Sequence, residues 1–379
     1  MSRIPFTRIH LAGRELEYVR AAIESRQLAG DGAFTRRCER WLEETVGCGR
    51  ALLTHSCTAA LEMAALLAEV GPGDEVILPS FTFASTANAF VLRGATPVFV
   101  DIDPVTLNID SQRAAAAVTA RTKAIVPVHY AGVACDMDAI ESLAREHGLI
   151  VIEDAAQALL SSHGQRPLGS IGALSALSFH QTKNITAGEG GALLINDPRL
   201  FARADVVREK GTNRGQFHRG EVDKYTWVDL GSSYLPGELM AAFLLAQLES
   251  AAEITAARHA VWARYHAALE PLERQGLLAR PATTDGNAHI YFILLRSLAE
   301  RTEVIEALRR RDISAVFHYV PLHSSPAGRR YGRAAGTLAV TDEVSDRLLR
   351  LPLWPDMTEA DVELVVDAVG AALGVTAGP

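Results

Sequence analysis

The chain has few cysteines, and none of the four (Cys38, Cys48, Cys57, Cys135) stands in a Cys-x-x-Cys pair. That spacing suggests neither a zinc site nor a disulfide framework, and free thiols are expected. No uncharged apolar run approaches the ~18 residues a spanning helix needs, and Met1–Glu15 lacks a signal-like apolar stretch. The expectation is a cytoplasmic protein with no membrane partner. Positive charge is also short: the net charge is −8 and the longest basic cluster is Arg309-Arg310-Arg311, which reads as a solvated helical face. Nucleic acid is not an expected partner. Familiar catalytic signatures are missing too. There is no Gly-x-Gly-x-x-Gly after a strand, no Walker-type Gly-Lys-Ser/Thr, no His-Glu-x-x-His and no Gly-x-Ser-x-Gly. Nicotinamide dehydrogenases, P-loop enzymes, zincins and α/β-hydrolases each need one of these, and no metal site is expected.

What remains is an ordinary globular composition, 48% hydrophobic and 22% charged over 379 residues, with length for two or three domains. From Ala51 to about Asp197, short β-branched runs alternate with amphipathic stretches of helical spacing, the mark of an α/β sheet. Seven strands are expected at Ala51–Thr54, Glu75–Leu78, Pro97–Val100, Ala124–Val128, Leu149–Glu153, Ala176–Phe179 and Gly191–Ile195. Helices are expected between most of them, among them Thr58–Glu69, Ala84–Arg93, Ser111–Val118 and Asp138–His147. Beyond Pro236 the texture changes to one long Ala-rich helix, Gly237–Leu269, then further helices and a strand at His289–Leu295. The expected division is a large domain over residues 1–250, with a helical N-terminal segment, and a smaller α+β domain over 251–379.

Three segments carry chemistry. In Thr54-His55-Ser56-Cys57-Thr58-Ala59-Ala60-Leu61 a strand ends in a hydroxyl-rich turn that opens a helix. Such a turn suits a phosphate, and it equally suits plain N-capping by Ser56 or Thr58. In Ile150-Val151-Ile152-Glu153-Asp154-Ala155-Ala156-Gln157 an apolar strand ends in two carboxylates, where open α/β sheets face their ligand crevice; Asp154 could instead cap the following turn. The third segment, Ser178 to Gly191, sets Lys183 between an apolar strand and a Gly-rich turn. A partly desolvated lysine there deprotonates readily and can condense with an aldehyde, although a lone lysine more often packs its stem and keeps its head in water. Together the three supply an anion nest, a carboxylate for a pyridine nitrogen and an amine for an aldehyde, which are the needs of pyridoxal phosphate.

These stretches resemble the DegT/DnrJ/StrS family of sugar aminotransferases. So do Pro5-Phe6, Gly30–Thr35, Pro79–Phe83, Val128–Gly132 and His318–His323, so that the likeness runs nearly end to end. Within the family, Arg208–Arg214 and Asp223–Trp227 carry a closer likeness to transaminases that form dTDP-4-amino-4,6-dideoxygalactose. The resemblance implies the fold type I, aspartate-aminotransferase-like architecture: a mixed, mostly parallel seven-stranded sheet with a smaller C-terminal α+β domain. It implies that Lys183 holds pyridoxal 5'-phosphate and that Asp154 pairs with the pyridine nitrogen. By the same likeness Gln157 meets the ring hydroxyl, Phe83 covers one ring face, and Thr58, Ala59 and Ser178 bind the phosphate. It implies a homodimer with shared active sites, with Ser233 reaching the neighbouring cofactor. Relatives carry Gly-Tyr-Asn-Tyr-Arg where this chain has Gly231-Ser232-Ser233-Tyr234-Leu235, so the cation is lost, and Cys57 stands where relatives have Gly.

The reaction implied is transfer of an amino group from L-glutamate to C4 of dTDP-4-keto-6-deoxyglucose. His323 and Tyr319 are the candidates for the sugar, and Lys224, Arg214 and Arg219 for the diphosphate. Another keto sugar, C3-keto or UDP-linked, and a non-catalytic regulator on the same fold are the alternatives.

Overall fold

The computed structural model describes residues 4–282 and 285–375. All seven expected strands form: β1 (Arg50–Thr54), β2 (Glu75–Pro79), β3 (Thr96–Val100), β4 (Thr122–Ile125), β5 (Ile150–Asp154), β8 (Leu174–Ser178) and β9 (Gly191–Ile195). A two-residue ribbon, β6 (Ser162–His163) with β7 (Arg166–Pro167), lies between β5 and β8. Later in the chain come β10 (Tyr291–Leu294), β11 (Arg333–Ala334) and β12 (Leu348–Leu351). The main sheet has eight strands rather than seven, in the order β1-β9-β8-β5-β4-β2-β3-β11. The eighth, β11, joins parallel to β3, and two residues are too short to leave a periodic signal. Only β9 runs antiparallel to its neighbours, so the sheet is mixed and mostly parallel.

One face of this sheet is covered by the helix Cys57–Leu67, eight of whose residues are buried. The opposite face is covered by Glu15–Glu24, Ala33–Val46 and Glu238–Glu249, whose apolar stripes share a second cluster with Leu53, Leu177 and Leu194. Burying both faces explains why the central strands read as unbroken apolar runs.

The expected single helix Gly237–Leu269 is two helices, Glu238–Glu249 and Ala251–Ala268, bent by 61° at Ser250. The break has a packing cause. Ala251 and Ile254 still pack with the large sheet, whereas Val261 and Tyr265 belong to a separate cluster with Ile293, Leu308 and Trp354. The apolar cluster of the large sheet therefore runs past residue 250, where the division was expected, to Ile254. The expected strand at His289–Leu295 pairs antiparallel with β12, which the sequence reading had not marked. Ile4 departs from its expected place. It bridges to Ile313, its N–H donates to the Asp312 carbonyl at 3.0 Å, and its side chain packs in the C-terminal cluster. No single helix among the described residues is long and apolar enough to cross a membrane.

Candidate active site

Strand register sets the floor of the site. Thr54 pairs with Gly191 and Gly191 with Ser178, while Asp154 pairs with Ala176 one strand further on. The C-terminal ends of β1, β8 and β5 therefore open onto one crevice, as in other open α/β sheets. Gly191 is required there by space. A Cβ on it would fall 2.4 Å from the Ser56 carbonyl carbon and 2.5 Å from the Cys57 nitrogen. Its bare backbone lets the turn into the helix Cys57–Leu67 lie against β9.

At that turn the capping reading and the anion reading both have a share. Ser56 caps the helix, its Oγ accepting from the Ala59 N–H at 3.1 Å, and the Ala60 N–H bonds the Ser56 carbonyl. Among the described residues the amides of Cys57 and Thr58 are left as open donors at the positive end of the helix. Thr58 Oγ1 lies 2.8 Å from Ser85 Oγ. Ala59, expected at a phosphate, is buried and off the cavity lining, with its N–H bonded to the Ser56 cap.

The crevice is a cavity of about 640 Å³. Asp154 is buried on its wall, its Oδ2 accepting from Thr86 Oγ1 at 2.7 Å and its Oδ1 from the Ala156 N–H at 3.2 Å. Thr86 is in turn 2.9 Å from Thr82 Oγ1. Lys183 sits on a tight loop after β8, closed by hydrogen bonds from Phe179 N–H to Gly190, Gln181 N–H to Gly188 and Ala187 N–H to Phe179. Its amine looks into the cavity. Burial holds its pKa below the ordinary lysine value, against the opposing pull of the Asp154 carboxylate. The neighbouring Cys57 thiol is pushed well up by burial and by the Asp154 charge, so it stays protonated.

Gln157 Oε1 accepts from the Ala131 N–H at 2.7 Å, and its Nε2 donates to the Tyr319 hydroxyl at 2.7 Å. Phe83 is 62% exposed, and its ring lines the cavity wall. Lys183, Asp154, Thr58, Phe83, Gln157, Ser178 and Tyr319 thus line one space.

Five other expectations are not brought there within the chain. His323 is turned away from the cavity: its Nδ1 lies 2.8 Å from Ser80 Oγ and its Nε2 3.5 Å from Asp342. Arg214 donates to His218 and Arg219 pairs with Glu221, on the exposed 214–221 segment; Lys224 is exposed on the same excursion. These polar residues were chosen by proximity in sequence, and the excursion carries them off the cavity lining. Ser233 is exposed and bridges to Glu209, also off the lining.

Three groups that line the cavity were missed. Arg350 had a visible signal, an arginine inside the apolar run of β12; Arg258, in an Ala-rich helix, had none. His318 stood inside a quoted segment without being singled out. Its ring stacks on Tyr319 with centroids 3.7 Å apart, and its Nδ1 lies 2.7 Å from the Tyr130 hydroxyl. Burial keeps His318 neutral and Tyr130 protonated. Tyr130 therefore donates to Nδ1, which leaves the proton on Nε2.

The profile of the DegT/DnrJ/EryC1/StrS aminotransferase family matches residues 10–370. The chain belongs to this family. It is 36% identical over 97% of its length, and 96% of the relative's, to the spore coat polysaccharide biosynthesis protein SpsC of Bacillus subtilis. Its fold is similar to the aminotransferase TlmJ from Streptoalloteichus hindustanus, at 31% identity and a TM-score of 0.89, covering 99% of each chain. It is also similar to the PLP form of the putative sugar aminotransferase Spr1654 from Streptococcus pneumoniae, at 26% identity and a TM-score of 0.89, covering 98% of each chain.

This DegT-family chain is therefore an aminotransferase of the fold type I architecture, and its cofactor is pyridoxal 5'-phosphate. The residues present fit that group. A buried carboxylate fixed by Thr86, an amine of lowered proton affinity, a helix N-terminus with open amides and an exposed aromatic ring surround one cavity. Among the described residues no other lysine lines it.

Proposed function

We propose that the chain is a sugar-nucleotide aminotransferase that moves an amino group from L-glutamate to C4 of dTDP-4-keto-6-deoxyglucose. The observation that carries the reading is that Lys183 and Asp154 line one cavity. Spr1654 is described as a putative sugar aminotransferase and SpsC as a polysaccharide biosynthesis protein, and both descriptions support a sugar acceptor. The finer likeness of Arg208–Arg214 and Asp223–Trp227 to dTDP-4-amino-4,6-dideoxygalactose transaminases supports C4.

Bound pyridoxal phosphate supplies an electron sink for the charge left when a proton departs from the amine-bearing carbon. In this reading Lys183 holds the cofactor and, once displaced, its Nζ takes that proton and later returns one, with a pKa lowered toward neutrality as a general base needs. Asp154, immobilised by Thr86, keeps the pyridine nitrogen protonated. Thr58, Ser178 and the open amides of the helix hold the phosphate, Phe83 covers the ring and Gln157 meets its hydroxyl. Tyr319 and the Nε2–H of His318 offer hydrogen bonds to sugar oxygens. A related dehydratase chemistry would have histidine where this chain has Lys183.

The exposed aromatic and aliphatic side chains of Phe217, Tyr225, Trp227 and Leu230 form a surface of the kind a second subunit covers. In the homodimer we propose, Ser233 of one subunit would complete the phosphate site of the other. Incubating the holoenzyme with glutamate and a panel of keto sugars, on dTDP and UDP and with the keto group at C3 or C4, tests the assignment by NMR of the products. Amination of the dTDP-linked C4-keto sugar is expected; strong preference for a C3-keto or UDP-linked sugar overturns it.

A further inference from the structure

His289 lines the cavity and plays no part in the chemistry proposed so far. It is buried and held from several sides. Its ring Nδ1 lies 2.9 Å from Oδ1 of Asn184, the residue that follows Lys183 in the chain. Its backbone carbonyl accepts from Arg258 Nη2, and Arg258 Nε donates to the Ala288 carbonyl at 3.0 Å. Next to them Asn287 Nδ2 donates to the carbonyls of Gln157 and Leu159, both at 2.9 Å. The segment Asn287–His289 thus ties the Lys183 loop, the Gln157 loop and the helix Ala251–Ala268 together at one point. Ala288 is carried there at a φ of 53°, a left-handed conformation that alanine keeps only where its surroundings impose it.

These bonds also fix which ring nitrogen carries the proton. Asn184 Nδ2 donates to the Asn287 carbonyl at 2.9 Å, so the atom it turns to His289 is its Oδ1, an acceptor. Nδ1 of His289 therefore bears a hydrogen. Burial keeps the ring neutral, and the charges of Lys183, Arg258 and Arg350 act in the same direction. A neutral ring that donates from Nδ1 has a bare lone pair at Nε2. Among the described residues nothing bonds that nitrogen. His318, on the same cavity, is the opposite case, since Tyr130 donates to its Nδ1 and Nε2 carries the proton. One imidazole in this space donates and the other accepts.

We infer that His289 is a positioning residue for Lys183, its Nε2 accepting a hydrogen bond from the Lys183 amine whenever that amine is free of the cofactor. The inference rests on Lys183 as the lysine that holds the cofactor, and not on which sugar is aminated. An amine that takes up a proton in a cavity becomes an ammonium with three N–H groups to satisfy. Asp154 already accepts from Thr86 and from the Ala156 N–H, and its charge is committed to the pyridine nitrogen in the reading above. The Cys57 thiol is protonated, and Arg258 and Arg350 repel an ammonium. Nε2 of His289 can meet one N–H, and because its own proton affinity is held well below the ordinary histidine value it leaves the proton on Nζ.

Asparagine and glutamine separate the two ends of the ring. His289→Asn keeps a polar group where Nδ1 meets Asn184 and removes the acceptor at Nε2, whereas His289→Gln restores an amide near Nε2. Each protein is loaded with pyridoxamine 5'-phosphate, which leaves Lys183 a free amine and requires neither glutamate nor sugar. With only four lysines in the chain, ¹³C at the lysine ε-carbon gives NMR signals few enough to assign Lys183 by its loss in Lys183→Ala. His289→Asn is expected to lower the proton affinity of Lys183 about tenfold or more, the worth of one hydrogen bond to a charged group, and His289→Gln to stay within about threefold of wild type. Single-turnover rates of both half-reactions should fall together in His289→Asn, because Lys183 moves the proton in each, with cofactor content unchanged. An unaltered Lys183 titration in His289→Asn overturns the inference. So does a shift in His289→Gln alone, the pattern of a residue that only braces Asn184. In wild type, ¹⁵N NMR of labelled histidine should show His289 protonated at Nδ1 alone; a proton on Nε2 overturns the inference whatever the variants do. A cofactor mapped by borohydride reduction to another lysine removes its premise and overturns it too, whereas a different sugar acceptor overturns only the function proposed above.

Discussion

The Thr86 hydroxyl donates a 2.7 Å hydrogen bond to Asp154 Oδ2, tying the helix Ala84–Val91 to the end of β5. A carboxylate that must face a pyridine nitrogen cannot be free to rotate, and this bond, with the one from the Ala156 N–H, removes that freedom. Asp154→Asn should lower kcat by roughly 10²–10³-fold, because the electrostatic support of the ring is lost. Thr86→Val should cost about tenfold, the worth of one hydrogen bond to a charged group. Single-turnover rates with glutamate measure both. Equal losses in the two variants would mean that Asp154 acts through position alone.

Much of this arrangement was legible in the sequence. Strand ends carrying Asp154 and Ser178, and a lysine before Gly188-Glu189-Gly190-Gly191, mark a crevice because local periodicity shows where strands stop. What crosses the fold was not legible. Thr86 reaches Asp154 from 68 residues away, and no local pattern shows that contact. That His323 and the cations of the 214–224 segment lie off this chain's cavity lining was not legible for the same reason: a polar residue near a motif in sequence need not face the same space. The bend at Ser250 was hidden because both segments are good helix formers with no Gly or Pro between them, so no local breaker marks it.

Beneath the site lies a second pair, His129 Nε2 and Glu153 at 3.0 Å, both fully buried. The Cys135 N–H donates to His129 Nδ1 at 3.2 Å, so Nδ1 carries no proton and the neutral ring donates from Nε2 to Glu153. Burial raises the Glu153 pKa, but His129 and the amides of Gly169 and Gly172 hold it below the ordinary value. The lowered carboxylate contributes stability in full above its unfolded value near 4.5 and loses it as pH falls further. The advantage of wild type over Glu153→Gln should therefore be largest above about pH 4.5 and shrink on acidification. Melting temperatures of both proteins from about neutral pH downward check it; a constant difference would show that Glu153 is not ionised in the fold.

Composite sites in a homodimer make a prediction about mixtures. Lys183→Ala chains and chains with Ser233 replaced by a bulky residue should each be inactive or weak alone. Refolded together they should regain activity, since one of the two sites in a mixed dimer receives intact residues from both. No recovery, with mixed dimers demonstrated by mass spectrometry, would remove Ser233 from the partner's site. Trp227→Glu should weaken the dimer in sedimentation if the exposed aromatic surface is the interface.

The central claim is that Lys183 is the residue that holds the cofactor. The chain has only four lysines, Lys123, Lys183, Lys210 and Lys224, which makes the assignment easy to decide. Borohydride reduction of the holoenzyme followed by peptide mass mapping should place the phosphopyridoxyl group on Lys183 alone, and Lys183→Ala should take up the cofactor without any reducible bond. A phosphopyridoxyl group on Lys123, Lys210 or Lys224, with Lys183 unmodified, would contradict the account.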